Sequence, residues 1–315
     1  MTAQIAVLEH KESGARAQVL VSQGFNCFDW VAAVGDAKLP LLYAPEGFAS
    51  GDHRPTSGGT PLLFPFPGRI EEGRYSFGGK DYELPAGDAF GNAIHGFVFN
   101  KPWRIVDQSE SSVTAEFVGS QDAPETLDLW PSDYAIQAAY RLEADQLVLE
   151  VTCSNPGDSD LPYGLATHAY FSLPLDPGGD PEATVLHAPV DREWAMHDMI
   201  PTGDSEQNPV VDGLAAGMPL AGQQLDQPFR LAPSSSGEVV TSLKGGGVTL
   251  EQTCSDDFRC YVVYTPGHRE AVCIEPYTCV PSPFGSEQRG VDTNLKILAP
   301  GESHSYTVTL HARAN

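Results

Sequence analysis

Three segments of this 315-residue chain set ionisable side chains where a chain of this texture would otherwise carry apolar or turn residues. In residues 58–73, Arg69 emerges from the apolar, proline-rich run Pro61-Leu-Leu-Phe-Pro-Phe-Pro67 just before a hairpin, and His95 follows in Ile94-His95-Gly96-Phe97. In residues 162–173, His168 stands within Thr167-His168-Ala169-Tyr170-Phe171. In residues 272–281, Glu275 ends an apolar stretch and is followed by Pro276 and Tyr277. An imidazole titrates near neutrality and can give or take a proton, a carboxylate can take one, and a guanidinium holds negative charge. Each also has a plainer reading. The histidines could be hydrogen-bonded structural residues, Glu275 a solvated rim carboxylate, and Arg69 the partner of Glu71 or Glu72 in an exposed bridge worth under about 1 kcal/mol.

Other chemistries are set aside because their residues are missing. Gly78-Gly79-Lys80 is followed by Asp81 and by no helical pattern, so it reads as a hairpin turn rather than a phosphate loop. Gly245-Gly246-Gly247 lacks dinucleotide-binding spacing, and no serine sits in a Gly-x-Ser-x-Gly elbow. The nine histidines include no His-Glu-x-x-His or His-x-His pattern, so a metal site would need ligands from far-apart strands. No metal and no organic cofactor is expected. Cys27, Cys153, Cys254, Cys260, Cys273 and Cys279 form no close pair of metal-binding or redox spacing and are expected as reduced, mostly buried thiols.

The elements that must position these residues are strands. Residues 113–118, 140–143, 147–153, 261–265, 271–274 and 305–311 mix β-branched and aromatic residues with polar ones at a period near two. Residues 144–146 join two of these runs as a short hairpin loop, and Gly78-Gly79 joins residues 75–77 to 80–84 as a two-residue hairpin. The stretches 176–182, 203–213 and 234–237 read as loops. With 31 glycines and 26 prolines spread along the chain, no repeat and no domain-separating linker, the expected architecture is all-β: large antiparallel sheets packed face to face in one domain, residues 1–315.

Eighteen Lys and Arg against 42 Asp and Glu leave a formal charge of -24, which disfavours nucleic acid and anionic membrane surfaces as partners. Residues 1–10 carry no basic segment followed by an apolar run, and no stretch reaches the roughly 18 apolar residues of a membrane span, so a cytoplasmic chain is expected.

In order along the chain, these motifs resemble the aldose 1-epimerase (galactose mutarotase) family. The resemblance is carried by Gly68-Arg69-Ile70-Glu71-Glu72-Gly73, then Ile94-His95-Gly96-Phe97 and Trp103, His168-Ala169-Tyr170-Phe171, Ile200-Pro201-Thr202-Gly203, Leu225-Asp226-Gln227-Pro228-Phe229, Glu275-Pro276 and residues 298–302. Gly68 stands where the family has Asn, Phe97 where it has a second glycine, and Thr167 where many members carry Asn, which marks a divergent branch. The resemblance implies a β-sandwich of the galactose mutarotase type that interconverts the α and β anomers of a free aldohexose without a cofactor. It implies Glu275 as the base for the anomeric hydroxyl and His168 as the acid for the ring oxygen, the two facing each other across the sugar ring. Arg69, His95 and Asp226 would hold the hydroxyls, and Tyr277 would line the pocket, while Tyr170 and Trp103 are expected as core aromatics. The partner would be a small-molecule sugar, taken by a monomer or weak homodimer.

Three alternatives stay open. A non-catalytic carbohydrate-binding or sensor protein could use the same fold. A glycoside hydrolase or lyase would need a second carboxylate opposite Glu275, for which Asp226 is the candidate. A hexose-6-phosphate epimerase would need cations around the phosphate; no arginine cluster appears in the sequence, and a neutral free sugar is the expected substrate.

Overall fold

The computed structural model describes residues 3–234 and 236–315. Two large sheets and one smaller one carry it, and every pairing between its strands is antiparallel. The nine-stranded sheet runs, edge to edge, through Arg104–Gln108, Ser112–Val118, Ala135–Leu142, Gln146–Ser154, Ser303–Ala314, Val248–Ser255, Glu238–Gly245, Val185–His187 and Met218–Pro219. The eight-stranded sheet runs through Ile200–Glu206, Val190–His197, Asp226–Leu231, Cys260–Tyr264, Ala271–Tyr277, Ala166–Thr167 and Leu62–Leu63, with Ala169–Ser172 also paired to Ala271–Tyr277. Ile5–His10, Ala15–Leu20, Asn26–Val34 and Ala37–Pro40 form the smaller four-stranded sheet.

Alternation explains the layers. Along Ser112–Val118 and Ala135–Leu142 every second residue is buried, so each strand of the nine-stranded sheet offers one apolar face and one wetter face. The apolar face meets the eight-stranded sheet in a continuous core that includes Leu149, Leu250, Val308, Phe229, Tyr261, Val263, Val272 and Ile274. Polar links cross it: the Gln252 side-chain amide donates to the Ile274 carbonyl at 3.4 Å. All seven residues of Ala271–Tyr277 are buried, because the second face of that strand is roofed by loops rather than by water. The site lies on that second face.

Both expected hairpins are present. Leu142 pairs with Leu147 and the Glu143 N–H donates to the Gln146 carbonyl, while Phe77 pairs with Lys80 across Gly78 and Gly79, both with positive φ (59° and 79°) as a tight primed turn demands. The stretch 203–213 is not a loop. It finishes the strand Ile200–Glu206 and enters the helix Pro209–Ala216, started by Asn208, whose side chain accepts from the N–H groups of Val210 and Val211, with Pro209 at the first helical position. Of 234–237, Ser235 lies outside the described residues. All six cysteines are free and buried, and among the described residues no helix is long and apolar enough to cross a membrane.

Candidate active site

Strand register brings the acid and base together. Ala166 pairs with Tyr277 and Ala169 with Ile274, and continuing that register sets His168 directly opposite Glu275. The ladder opens at this point. Pro276 has no N–H to donate, and the His168 N–H bonds the Pro61 carbonyl at 3.0 Å instead. Glu275 does not end its strand, which continues through Pro276 to Tyr277. The same register lines up Pro228, Val262 and Glu275 across three strands, with Asp226, Tyr264 and Cys273 in the neighbouring line on the same face.

Nε2 of His168 lies 3.3 Å from Oε1 of Glu275. The expectation that the two groups face each other across a sugar ring therefore fails: no ring fits between atoms in contact, and the pair is one acid/base unit at the floor of a cleft. Tyr277, two residues on and on the same face, donates its hydroxyl to Oε2 of Glu275 at 3.1 Å. The His168 ring stacks on Tyr170 (centroids 5.0 Å apart, planes 12° apart), whose hydroxyl donates to the Thr56 carbonyl at 2.7 Å. Tyr170 is thus a backing plate for the imidazole as well as a core residue. Trp103 is a core aromatic, stacked on Phe25 with its indole N–H on the Val98 carbonyl.

Arg69 and His95 arrive together. The short strand Arg69–Ile70 pairs with Ala93–Ile94, and the His95 N–H donates to the Gly68 carbonyl at 2.8 Å. His95 and Gly96 are both left-handed (φ 67° and 76°), and a Cβ on Gly96 would lie 2.2 Å from the Phe64 carbonyl oxygen. Only glycine allows that approach, which sets the His95 ring edge-on to His168 with centroids 5.6 Å apart. Arg69 does not pair with Glu71 or Glu72. Its Nε donates to Oδ2 of Asp88 at 2.9 Å, and Glu71 pairs with Arg289. Burial pushes the Asp88 carboxyl up, but hydrogen bonds from Asn92, Arg69 and Phe90 outweigh it and hold the group below its ordinary value.

Burial governs the electrostatics of the floor. Glu275 is 2% exposed, and desolvation pushes its carboxyl well above the ordinary range, against the pull of Tyr277 and Arg69. His168 is 7% exposed and is pushed down to about 4, first by desolvation, with a further push from the Arg69 charge. His95 is driven well below its ordinary value by desolvation, then by His168 and Arg69. The resting pair therefore favours a carboxylic acid beside a neutral imidazole.

All six residues singled out in the sequence, Arg69, His95, His168, Asp226, Glu275 and Tyr277, line one cleft of about 270 Å³. That is near the small end of the roughly 300–1,000 Å³ range of small-molecule sites and suits a single-ring ligand. Sequence reasoning missed Arg54, Thr56, Met196, Met199 and Tyr264, which also line it, and Asp88, which anchors Arg69. Met196 and Met199 belong to a hairpin whose turn, Asp198-Met199, has two left-handed residues and carries no glycine to announce it. Arg54 is exposed at the rim and makes no ion pair or side-chain hydrogen bond among the described residues.

Residues 32–311 match the profile of the aldose 1-epimerase family. The chain belongs to that family. It is 27% identical over 257 residues to YihR and 24% identical over 257 residues to YphB, both uncharacterized proteins of Escherichia coli K-12; the matches cover 77% and 79% of this chain and 75% and 81% of theirs. Its fold is similar to a galactose mutarotase-like protein of Clostridium acetobutylicum (TM-score 0.86, 21% identity, covering 100% of this chain and 99% of the other). It is also similar to a putative aldose 1-epimerase of Escherichia coli K-12 (TM-score 0.78, 21% identity, covering 99% of each). The galactose mutarotase-like all-β architecture expected from the sequence is the one observed.

Proposed function

We propose that the protein is an aldose 1-epimerase acting on a free hexose, with Glu275 as base and His168 as acid. The observation that carries this reading is the 3.3 Å contact between Nε2 of His168 and Oε1 of Glu275 on the floor of a cleft also lined by Arg69, His95, Asp226 and Tyr277. The anomeric hydroxyl oxygen and the ring oxygen of a pyranose are bonded to the same carbon. An acid and a base in contact can therefore address both at once, which a pair straddling the ring would not require.

In the forward step Glu275 takes the anomeric hydroxyl proton while His168 gives its Nε2 proton to the ring oxygen, the bond from C1 to the ring oxygen breaks, and the aldehyde forms. Rotation about the bond between C1 and C2 turns the other face of the carbonyl to the ring oxygen. Closure reverses both transfers and resets the pair. The productive form carries its proton on the imidazole; the Tyr277 hydroxyl and the Arg69 charge both favour the carboxylate that this form needs. A base whose pKa is raised is a stronger base, and an acid whose pKa is lowered is a stronger acid, so burial sharpens each group for its role. Arg69, His95 and Asp226 hold hydroxyls.

The test is polarimetric or NMR-exchange measurement of freshly dissolved α-anomers of several aldoses, with and without protein. Accelerated exchange of any free hexose is expected; binding without acceleration leaves a carbohydrate-binding module, and release of reducing ends from oligosaccharides would make Glu275 and Asp226 a hydrolase pair. A second reading, hexose 6-phosphate, is favoured by one observation: Arg54, without an ion-pair partner among the described residues, stands at the rim of the cleft that holds Arg69. Running the same assay on the phosphorylated sugars decides between them.

A further inference from the structure

We propose that His168, Cys273 and Glu275 form a Zn2+ site at the cleft floor, and that the metal and proton transfer exclude one another there. One nitrogen, one sulfur and one oxygen from these buried side chains all lie within 4.8 Å of one another. The nitrogen–oxygen pair is already at 3.3 Å. With Zn–N and Zn–O bonds near 2.0–2.1 Å and Zn–S near 2.3 Å, ligand atoms in a tetrahedron stand about 3.3–3.7 Å apart, so small side-chain rotations close the set.

The strands supply the ligands in register. Cys273 and Glu275 are two residues apart on one strand and share its face, and His168 is opposite Glu275 on the neighbouring strand. The position of Cys273 is set by its pairing with Tyr170 on one side and Tyr264 on the other. Nδ1 of His168 is buried without a partner, and Nε2 has as its near polar neighbour Oε1 of Glu275, itself a member of the set, so the contact the imidazole already makes holds it at the site. A thiolate, an imidazole and a carboxylate are the ligand types of zinc, and the thiolate selects it over Mg2+ and Ca2+. Once the thiol proton and any carboxylic proton have left to solvent, thiolate and carboxylate cancel the 2+ charge, so the buried site stays neutral. Three protein ligands leave a fourth position open toward the cleft.

Zn2+ held this way occupies the imidazole nitrogen and the carboxylate that the proposed epimerase reaction needs. Cys273 itself takes no part in the proton transfers and does not line the cleft. The metal site stands on the geometry alone; only its inhibitory consequence rests on the epimerase reading.

The experiment uses reduced, chelator-stripped full-length protein titrated with Zn2+ alone, followed by calorimetry and metal analysis after desalting, and with Co2+ as a spectroscopic probe. The native protein is expected to take up one equivalent of Zn2+, to show thiolate-to-cobalt charge-transfer absorption with Co2+, and to lose mutarotation in step with Zn2+ uptake, with recovery on adding chelator. Cys273→Ala, with Cys273→Ser as a second variant of similar volume, is expected to keep mutarotation, lose the charge-transfer band and bind Zn2+ at least about tenfold more weakly. Absence of stoichiometric uptake by the native protein, or uptake and cobalt spectra unchanged in both variants, would overturn the site. If no sugar is mutarotated at all, the epimerase reading fails while the binding and cobalt measurements still decide the metal site.

Discussion

Replacing Glu275 by Gln should change how stability depends on pH, and the sign follows from counting protons. Burial lifts the Glu275 carboxyl well above 4.5 and lowers the imidazole to about 4, so above pH 4.5 the folded native pair keeps its one proton on Glu275 until the raised value of that carboxyl is reached. In the unfolded chain the count is close to one midway between the ordinary values of 4.5 and 6.5, on a free histidine beside an ionised glutamate. Midway the counts match, so the native pair adds little slope there. In Glu275→Gln the folded site holds none and the unfolded histidine still holds one, so unfolding takes up a proton and stability rises with pH. A histidine moved from 6.5 to about 4 makes the variant's own stability rise by about 2 kcal/mol between pH 4.5 and 6.5, and the native protein, whose raised Glu275 carboxyl holds a proton in the fold, is expected to rise by less. Urea unfolding of both proteins at half-unit pH steps, with chelator present throughout, measures it; all other titrating groups cancel in the difference. Gln keeps an acceptor for the Tyr277 hydroxyl, so the site is expected to stay packed. Parallel stability curves for the two proteins would refute the reasoning, since they would mean that His168 is charged in the fold or that Glu275 does not hold the proton.

The catalytic readings give four further outcomes. Glu275→Gln and His168→Asn should each slow mutarotation of the preferred sugar by roughly 10²-fold or more in polarimetry, and full turnover in either would remove that residue from the mechanism. Arg69→Ala should weaken sugar binding and turnover together, and an unchanged dependence of rate on sugar concentration would count against its contact. Tyr277→Phe removes a hydrogen bond that favours the Glu275 carboxylate; because the working pair carries one proton in all and gives it up last at Glu275, the alkaline limb of the pH–rate profile should move to higher pH, and a limb in its native place would mean the hydroxyl does not tune the base. Gly96→Ala should cost roughly 2–3 kcal/mol in chemical unfolding, because a left-handed backbone strains alanine and its Cβ would lie 2.2 Å from the Phe64 carbonyl oxygen, and a near-neutral effect would contradict the packing of the His95 turn.

What the amino-acid order determined by itself is local. Period-two alternation marked strands such as Ser112–Val118, the Gly78-Gly79 pair marked its hairpin, and the residue types of Arg69, His95, His168 and Glu275 in their flanking motifs pointed to one family and one kind of site. These signals survive in sequence because neighbouring residues alone satisfy them: a pleat has period two, and a primed turn needs two left-handed residues. Where the local signal is weak, the reading failed. Asn208-Pro209 starts a helix that is too short to show a periodic pattern, and the Asp198-Met199 turn has no glycine. The acid/base contact was decided only by tertiary structure. His168 and Glu275 meet because two strands far apart in the chain pair in one register, broken at Pro276, and the same pairing puts both groups side by side rather than across a ring. The Asp88 anchor of Arg69, the tyrosine behind the imidazole and the displaced pKa values have the same origin, since desolvation and hydrogen bonding depend on what the fold packs around a group and not on its neighbours in sequence.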